Sequence, residues 1–108
     1  MNQLPQTPDP DKYLSVLWGQ VHLLISDIIR LEGDRNYTRF VMADGRRILT
    51  AKNLGAYELC LPSIFVRVHK RYMINLLWVI DSEADCLYMG DGCKVQIARR
   101  KRGNDRNG

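Results

Sequence analysis

Two Asp-Gly dipeptides, at residues 44–45 and 91–92, each lie between short stretches of apolar and β-branched residues. Asp-Gly is a preferred dipeptide of the tight turns in β-hairpins, because both positions tolerate a positive φ. Each dipeptide therefore predicts a hairpin with a two-residue turn. The predicted registers pair Val41 with Ile48, Phe40 with Leu49, Leu87 with Gln96 and Cys86 with Ile97, which places apolar pairs on both faces of the first ribbon.

The segment between the two hairpins holds a helical pattern. Leu54, Tyr57 and Leu61 are spaced i, i+3 and i+7, Asn53 is suited to cap the first turn, and Pro62 is suited to stop the helix. Residues 9–17 have an alternative between a strand and a helical turn. Because the other apolar stretches are short and β-prone, the sequence predicts a mainly antiparallel β domain with one short helix.

Composition predicts a single domain between two flexible ends. Residues 1–12 hold three of the four prolines and read as an arm, residues 13–102 are the domain, and residues 103–108 are a tail. No stretch approaches the ~20 apolar residues of a membrane span, and no signal peptide is recognisable, so we expect a cytoplasmic protein without a membrane partner. The three cysteines lack the spacing of a zinc site, and we expect no metal and no cofactor.

Positive charge is concentrated in residues 64–75 and 94–106. The first of these segments lies in the run "FVRVHKRYMINLLWVI", where cations interrupt apolar residues. Charges without partners are too costly to bury, so this cluster must face water or an anion. Eleven of the 16 cations are arginine, whose planar fork suits phosphate and guanine edges. Nucleic acid is therefore the predicted partner.

Other chemistry has little support. Glu32 and Asp34, beside Gly33, are typical of solvated loop charges, and no glycine-rich loop precedes a helix, so we predict no enzyme. His69 has two interpretations, a hydrogen-bonded ring that fixes a local turn and a direct phosphate contact. The C-terminal cations are either a solvated tail or DNA contacts. We favour DNA for Arg99 and Arg100 and generic phosphate contacts for Lys101 and Arg102.

The chain resembles the LytTR family of bacterial DNA-binding domains, the output modules of many response regulators. The resemblance covers residues from about 20 to 102 and rests on "DIIRLEGDRNYTRFVMADGRRILTAKNLGAYELCLP", the block from Arg67 to Asn75, and the closing "VQIARRKR". It implies an elongated stack of three small antiparallel sheets. It also implies that loops between strands enter the major grooves of DNA, without a recognition helix.

The resemblance also implies reading positions, which fall on three places in this chain. The first is Thr38, with Asn36 and Arg39 beside it. The second is Lys70, next to Arg71, and the third is Arg100, preceded by Arg99. Two residues depart from the family pattern, because Arg71 and Ala98 stand where serine is common, which leaves the sequence preference open.

The predicted function is sequence-specific binding of double-stranded DNA by a transcriptional regulator without a receiver domain, either free-standing or an excised output domain. Repeated half-sites and a pair of copies on DNA are expected. The alternative is an interaction module that titrates or hetero-dimerises with another regulator. The cations Lys70, Arg71, Arg99 and Arg100 favour the DNA-binding interpretation.

Overall fold

A computed structural model describes residues 12–98, which form ten strands in three antiparallel sheets and one short helix. The elements are β1 (Tyr13–Val16), β2 (Val21–Leu24), β3 (Ile28–Asp34), β4 (Tyr37–Met42), β5 (Arg47–Thr50), α1 (Leu54–Glu58), β6 (Phe65–His69), β7 (Tyr72–Asn75), β8 (Val79–Ser82), β9 (Cys86–Met89) and β10 (Lys94–Gln96). The sheets have two strands (β1-β2), five strands (order β5-β4-β3-β7-β6) and three strands (order β10-β9-β8). The predicted stack of small antiparallel sheets with one short helix is confirmed.

The central sheet has a hydrophobic cluster on each face. The β1-β2 hairpin and α1 cover one face, and the three-stranded sheet covers the other, so the first four residues of β3 are all buried. The first cluster includes Leu23, Ile28, Leu31, Phe40, Leu54 and Met73. The second includes Ile29, Ile74, Met89 and Val95. Within residues 12–98 we find no helix long and apolar enough to cross a membrane.

Helix α1 forms where the pattern predicts it. The Asn53 side chain accepts a hydrogen bond from the Ala56 amide at 3.0 Å, which caps the first turn. The helix ends at Glu58, earlier than the spacing to Leu61 indicates. The helical turn considered for residues 9–17 is wrong over its described part, because Tyr13–Val16 is a strand.

Both Asp-Gly hairpins form, but each predicted register is wrong by one residue. Phe40 pairs with Ile48, and Leu87 pairs with Val95. In the first hairpin the Gly45 amide donates to the Met42 carbonyl, and Gly45 has a φ of +91°. The loop therefore has three residues, a type I turn followed by a left-handed glycine. This loop needs a positive φ at glycine alone, whereas the predicted two-residue turn also requires one at aspartate.

A buried arginine joins the central sheet to the three-stranded sheet. Arg30 is 2% exposed, and it donates from Nε to Glu32 (2.9 Å) and from Nη1 to Asp91 (2.8 Å) in the β9-β10 turn. Burial alone would lower the pKa of Arg30, but the hydrogen bonds that it donates to the carboxylates of Asp91 and Glu32 outweigh burial and raise the pKa. The guanidinium is therefore a permanent charge that holds two layers together.

Candidate nucleic-acid interface

The β6-β7 hairpin carries the basic cluster, which consists of Arg67, His69, Lys70 and Arg71. The turn of this hairpin is exposed, while buried residues anchor its two strands. Lys70 and Arg71 form the turn between His69 and Tyr72, and both are exposed. Phe65 in β6 and Ile74 in β7 are buried. Lys70 and Arg71 lie in the turn and not in the strands, so they are exposed to solvent while buried residues anchor the strands.

His69 fixes the geometry of this turn. Its Nδ1 atom accepts a hydrogen bond from the Arg71 amide at 3.0 Å, and its ring lies 5.3 Å from the ring of Tyr72 between centroids. His69 is therefore a hydrogen-bonded ring that stabilises a local turn, which is the first of its two interpretations. Nε2 is the ring nitrogen left for another partner.

Arg67, also in the basic cluster, makes its contacts within the protein. Its Nη1 atom lies 2.9 Å from a carboxylate oxygen of Glu58. Its Nε and Nη2 atoms donate to the carbonyls of His69 (3.3 Å) and Lys70 (2.6 Å). The guanidinium therefore bridges the end of α1 and the β6-β7 turn.

A basic cleft forms where the β6-β7 turn meets the β3-β4 turn. The Gly33 amide donates to the Arg71 carbonyl at 2.7 Å, which joins the two turns. The cleft has a volume of about 450 Å³, and its lining consists of Gly33, Arg35, Asn53, Leu54, Gly55, Arg67, Lys70 and Arg71. No acidic residue belongs to this described lining, and four cations do. Such a concave basic surface concentrates a positive potential that attracts anions.

Gly33 and Arg35 give the cleft its shape. A Cβ atom at Gly33 would lie 3.1 Å from the Cβ of Leu54, so glycine allows α1 to pack closely on β3. Arg35 has a φ of +59°, a left-handed conformation that is unusual for arginine. Arg35 was not among the site residues predicted from the sequence. The available signal was a cation inside the turn that follows Gly33.

None of the three residues predicted around the first reading position is among the described residues that line this cleft. Asn36 is exposed and follows Arg35 in the β3-β4 turn. Thr38 is 0% exposed, and its hydroxyl donates to the Lys52 carbonyl at 2.7 Å, so the prediction that it reads DNA is corrected to a structural role. Arg39 is exposed but does not line the cleft, and its Nη1 atom lies 3.4 Å from Glu32.

The third predicted reading position lies outside the described residues. Arg99, Arg100, Lys101 and Arg102 fall beyond residue 98, and so does the whole predicted tail. Residues 1–11 of the predicted N-terminal arm precede the described residues. The described chain ends at Ala98, whose amide donates to the Val68 carbonyl at 2.8 Å. Its last described residue is thus hydrogen-bonded to the strand that leads into the β6-β7 turn.

The described part of the chain also carries thiols and carboxylates. Cys60, Cys86 and Cys93 are free, and only Cys86 is buried. Between residues 12 and 98, no three His, Cys, Asp or Glu side chains come together in a way that could hold a metal ion.

Antiparallel sheets that present arginine and lysine at the turns between strands define a β-sheet class of nucleic-acid-binding domain. The family model described as "LytTr DNA-binding domain" matches residues 19–104, and the chain belongs to this family. It is therefore a DNA-binding domain. The resemblance found in the sequence is confirmed.

Proteins similar to the chain include two curated relatives and a solved structure. The heme-containing CO-sensing transcriptional regulators RcoM 1 and RcoM 2 of Paraburkholderia xenovorans are 33% and 32% identical to it over 78 residues, or 68% of this chain. The matched region spans 29% of the length of each regulator. A LytTr DNA-binding domain from Bacillus cereus superimposes with a TM-score of 0.67 at 18% identity, covering 81% of this chain and 86% of that one. This superposition supports the fold.

Proposed function

We propose that the domain recognises a specific sequence in double-stranded DNA with its inter-strand turns and acts as a bacterial transcriptional regulator in the cytoplasm. The observation that carries the proposal is the basic cleft, in which the β3-β4 and β6-β7 turns bring Arg35, Lys70 and Arg71 together. A duplex presents phosphates on both sides of its major groove, which a projecting turn enters while neighbouring cations hold the backbone.

The side chains divide into base readers and phosphate contacts. Lys70 lies at the apex of the turn, its side chain is exposed, and only its carbonyl is used by Arg67, so we assign it to a base edge. Arg35, Arg71 and Asn36 lie in the two turns at the cleft and are assigned to phosphates. Beyond the described residues, Arg100 remains a proposed base reader.

The remaining predicted contacts have supporting roles. Arg99, Lys101 and Arg102 are proposed to hold the backbone, because terminal cations neutralise phosphates without sequence preference. His69 offers Nε2 to a phosphate while Nδ1 holds the turn. Arg39 keeps free donors beside its contact with Glu32. We further propose repeated half-sites with two copies on DNA.

The relatives support regulation of transcription, since both are transcriptional regulators by name. Heme binding and CO sensing are properties of those whole proteins. The matched region is a minor part of the length of these relatives. In this chain, none of the described residues that line the basic cleft is suited to bind a heme. We therefore carry over the regulatory role alone.

Selection from a random duplex pool, followed by titration, tests the proposal. Lys70→Ala should lose affinity for the selected duplex by about 1 to 3 kcal/mol and much less for a scrambled duplex. Arg35→Ala should weaken both duplexes equally and reduce the salt slope by about 0.9. Arg46→Ala is the control, because Arg46 follows the turn at the opposite end of β4 from Arg35. Equal losses on both duplexes for Lys70→Ala would contradict base reading.

An interaction module that titrates or hetero-dimerises with another regulator is the second candidate. Leu77 and Ile80, in and after the single turn of 3-10 helix that leads into β8, are 58% and 70% exposed. Neighbouring exposed apolar side chains are typical of protein contacts. This candidate predicts no sequence enrichment from the duplex pool, with binding to another regulator that Ile80→Lys abolishes.

A further inference from the structure

We propose that Arg67 is a positioning residue, held by Glu58, that sets the β6-β7 turn in its DNA-reading conformation without contacting DNA itself. The inference rests on the proposed function, since it concerns how Lys70 is presented. Both Arg67 and Glu58 then contribute to sequence discrimination. Glu58 is acidic, and the charge of the basic cluster around Arg67 would by itself suggest phosphate binding.

The guanidinium of Arg67 is already surrounded by acceptors. It contacts the carbonyls of the two residues that begin the turn, His69 and Lys70, and the carboxylate of Glu58 at the end of α1. The Nη2 contact to the Lys70 carbonyl is 2.6 Å long, which is short for a hydrogen bond of this kind. The backbone of the proposed reading residue is therefore held directly by Arg67.

The turn needs such support because its own residues do not favour it. Two-residue hairpin turns that match the twist of the strands require a positive φ, and are usually made by Gly or Asn. Neither Lys70 nor Arg71 has a positive φ, and the pairing of β6 with β7 shifts between Arg67 and His69. Two adjacent cations at the apex also repel each other. Apart from the hydrogen bond that His69 accepts from the Arg71 amide, the local sequence therefore does little to specify the turn.

Glu58 gives Arg67 its direction. The carboxylate lies on α1, which packs closely on β3 at Gly33, so it offers a fixed point outside the hairpin. A carboxylate 2.9 Å from the guanidinium also opposes a phosphate at the same place. A direct phosphate contact by Arg67 and a positioning role therefore predict opposite consequences of removing Glu58.

Two variants separate these roles. Arg67→Lys retains the positive charge but loses the planar fork that reaches three acceptors, and Glu58→Ala removes the anchor while leaving Arg67 intact. We expect each to lower the ratio of affinities for the selected and scrambled duplexes about fivefold or more, the lower end of the effect of one base contact. The salt slope should stay unchanged, because no phosphate contact is lost.

Two control variants alter an arginine–carboxylate pair at a different turn. Arg46→Lys and Asp44→Ala alter an exposed ion pair at the turn after β4 and should leave the ratio unchanged. Thermal unfolding of all four variants should stay near that of the parent, because exposed ion pairs contribute little to stability. The double variant Arg67→Met/Glu58→Ala should be no worse than Arg67→Met alone, as expected for two residues that act through one contact.

Near-parental discrimination by Arg67→Lys together with tighter binding of both duplexes by Glu58→Ala would overturn the inference and make Arg67 a phosphate contact. Unchanged discrimination in both variants would overturn it as well. Lys70→Ala distinguishes this failure from a failure of the proposed function. If Lys70→Ala lowers the ratio while the Arg67 and Glu58 variants do not, only the positioning role is wrong. If Lys70→Ala leaves the ratio intact, the proposed reading turn is wrong and the inference falls with it.

Discussion

Replacing Asp91 with asparagine tests whether the buried Arg30 holds the three-stranded sheet on the central sheet. Asp91 accepts from Nη1 of Arg30 at 2.8 Å and from the Cys93 amide at 3.2 Å. Asparagine retains the volume and an oxygen for the Cys93 amide, but it removes the negative charge from the arginine. Asp91→Asn therefore perturbs the connection between layers while it preserves the turn.

The expected loss of stability in Asp91→Asn depends on the contacts that Arg30 keeps. Removing one partner of a fully buried ion pair typically costs about 3 to 5 kcal/mol. Arg30 retains Glu32 at 2.9 Å, and the side chain of Asp91 is 26% exposed, so water weakens the interaction. We therefore expect a loss of about 1 to 3 kcal/mol, the range for one hydrogen bond to a charged group. For a domain of this size, each kcal/mol lowers the Tm by about 4 to 8 °C.

Thermal and urea unfolding measure this loss, and the first hairpin supplies a matched control. Asp44→Asn is the same substitution at the equivalent position of an equivalent loop, but its partner Arg46 is exposed. The side chains of Arg46 and Asp44 are 56% and 57% exposed, so we expect no resolvable change in Tm. If Asp91→Asn destabilises the protein no more than Asp44→Asn does, Arg30 does not hold the layers together.

The pair of Arg30 and Asp91 also makes the free energy of unfolding depend on pH. Burial tends to raise the pKa of Asp91, but the hydrogen bonds from Arg30 and the Cys93 amide outweigh it, and the pKa lies below its ordinary value of 3.8. The stabilisation from a lowered pKa is fully present above the unfolded value and is lost as the pH falls through the folded one. The stability difference between the parent and Asp91→Asn should therefore be constant near neutral pH and shrink below about pH 4. A difference that grows on acidification would refute the sign of the shift.

Three further substitutions test the placement of buried groups. Thr38→Val removes a buried hydroxyl and should cost about 1 kcal/mol in urea unfolding without altering DNA discrimination; reduced discrimination would contradict the structural role of Thr38. Asn75→Ala removes the hydrogen bond that Asn75 donates to the Ile28 carbonyl and the one that it accepts from the Leu77 amide, and should cost about 2 to 3 kcal/mol. A Tm near that of the parent would contradict these buried contacts. Gly33→Ala forces α1 away from β3 and should weaken binding of both duplexes by disturbing the cleft, which titration measures.

Short-range features of the sequence determined the hairpins, the helix and the family. Asp-Gly dipeptides place turns because few residues tolerate the required φ, and Asn53 marks the start of α1 because its side chain can cap a free amide. The block from Arg67 to Asn75 was the most specific of the three segments that carry the LytTR resemblance, which the family match confirms. These signals depend on residues close together in the chain, so they can be read without the fold.

Register and burial were decided by the tertiary structure. Both Asp-Gly loops take one residue more than predicted, and the pairing shifts in β3 and in β6 change which residues face the core. A shift of one residue turns every later side chain to the other face of a strand. The family resemblance assigned Thr38 to DNA although the fold buries it, and Arg35 was missed although it lines the cleft.

The partners of the charged residues were likewise invisible in the sequence. Arg30 and Arg67 are both cations beside apolar residues, and composition alone gives each the same prospect of binding an anion. The fold brings Asp91 to Arg30 across 61 positions and Glu58 to Arg67 across nine. A sequence reveals where the charges lie along the chain. Whether a charge is left for DNA or is used within the protein depends on distances that exist only after the sheets have packed.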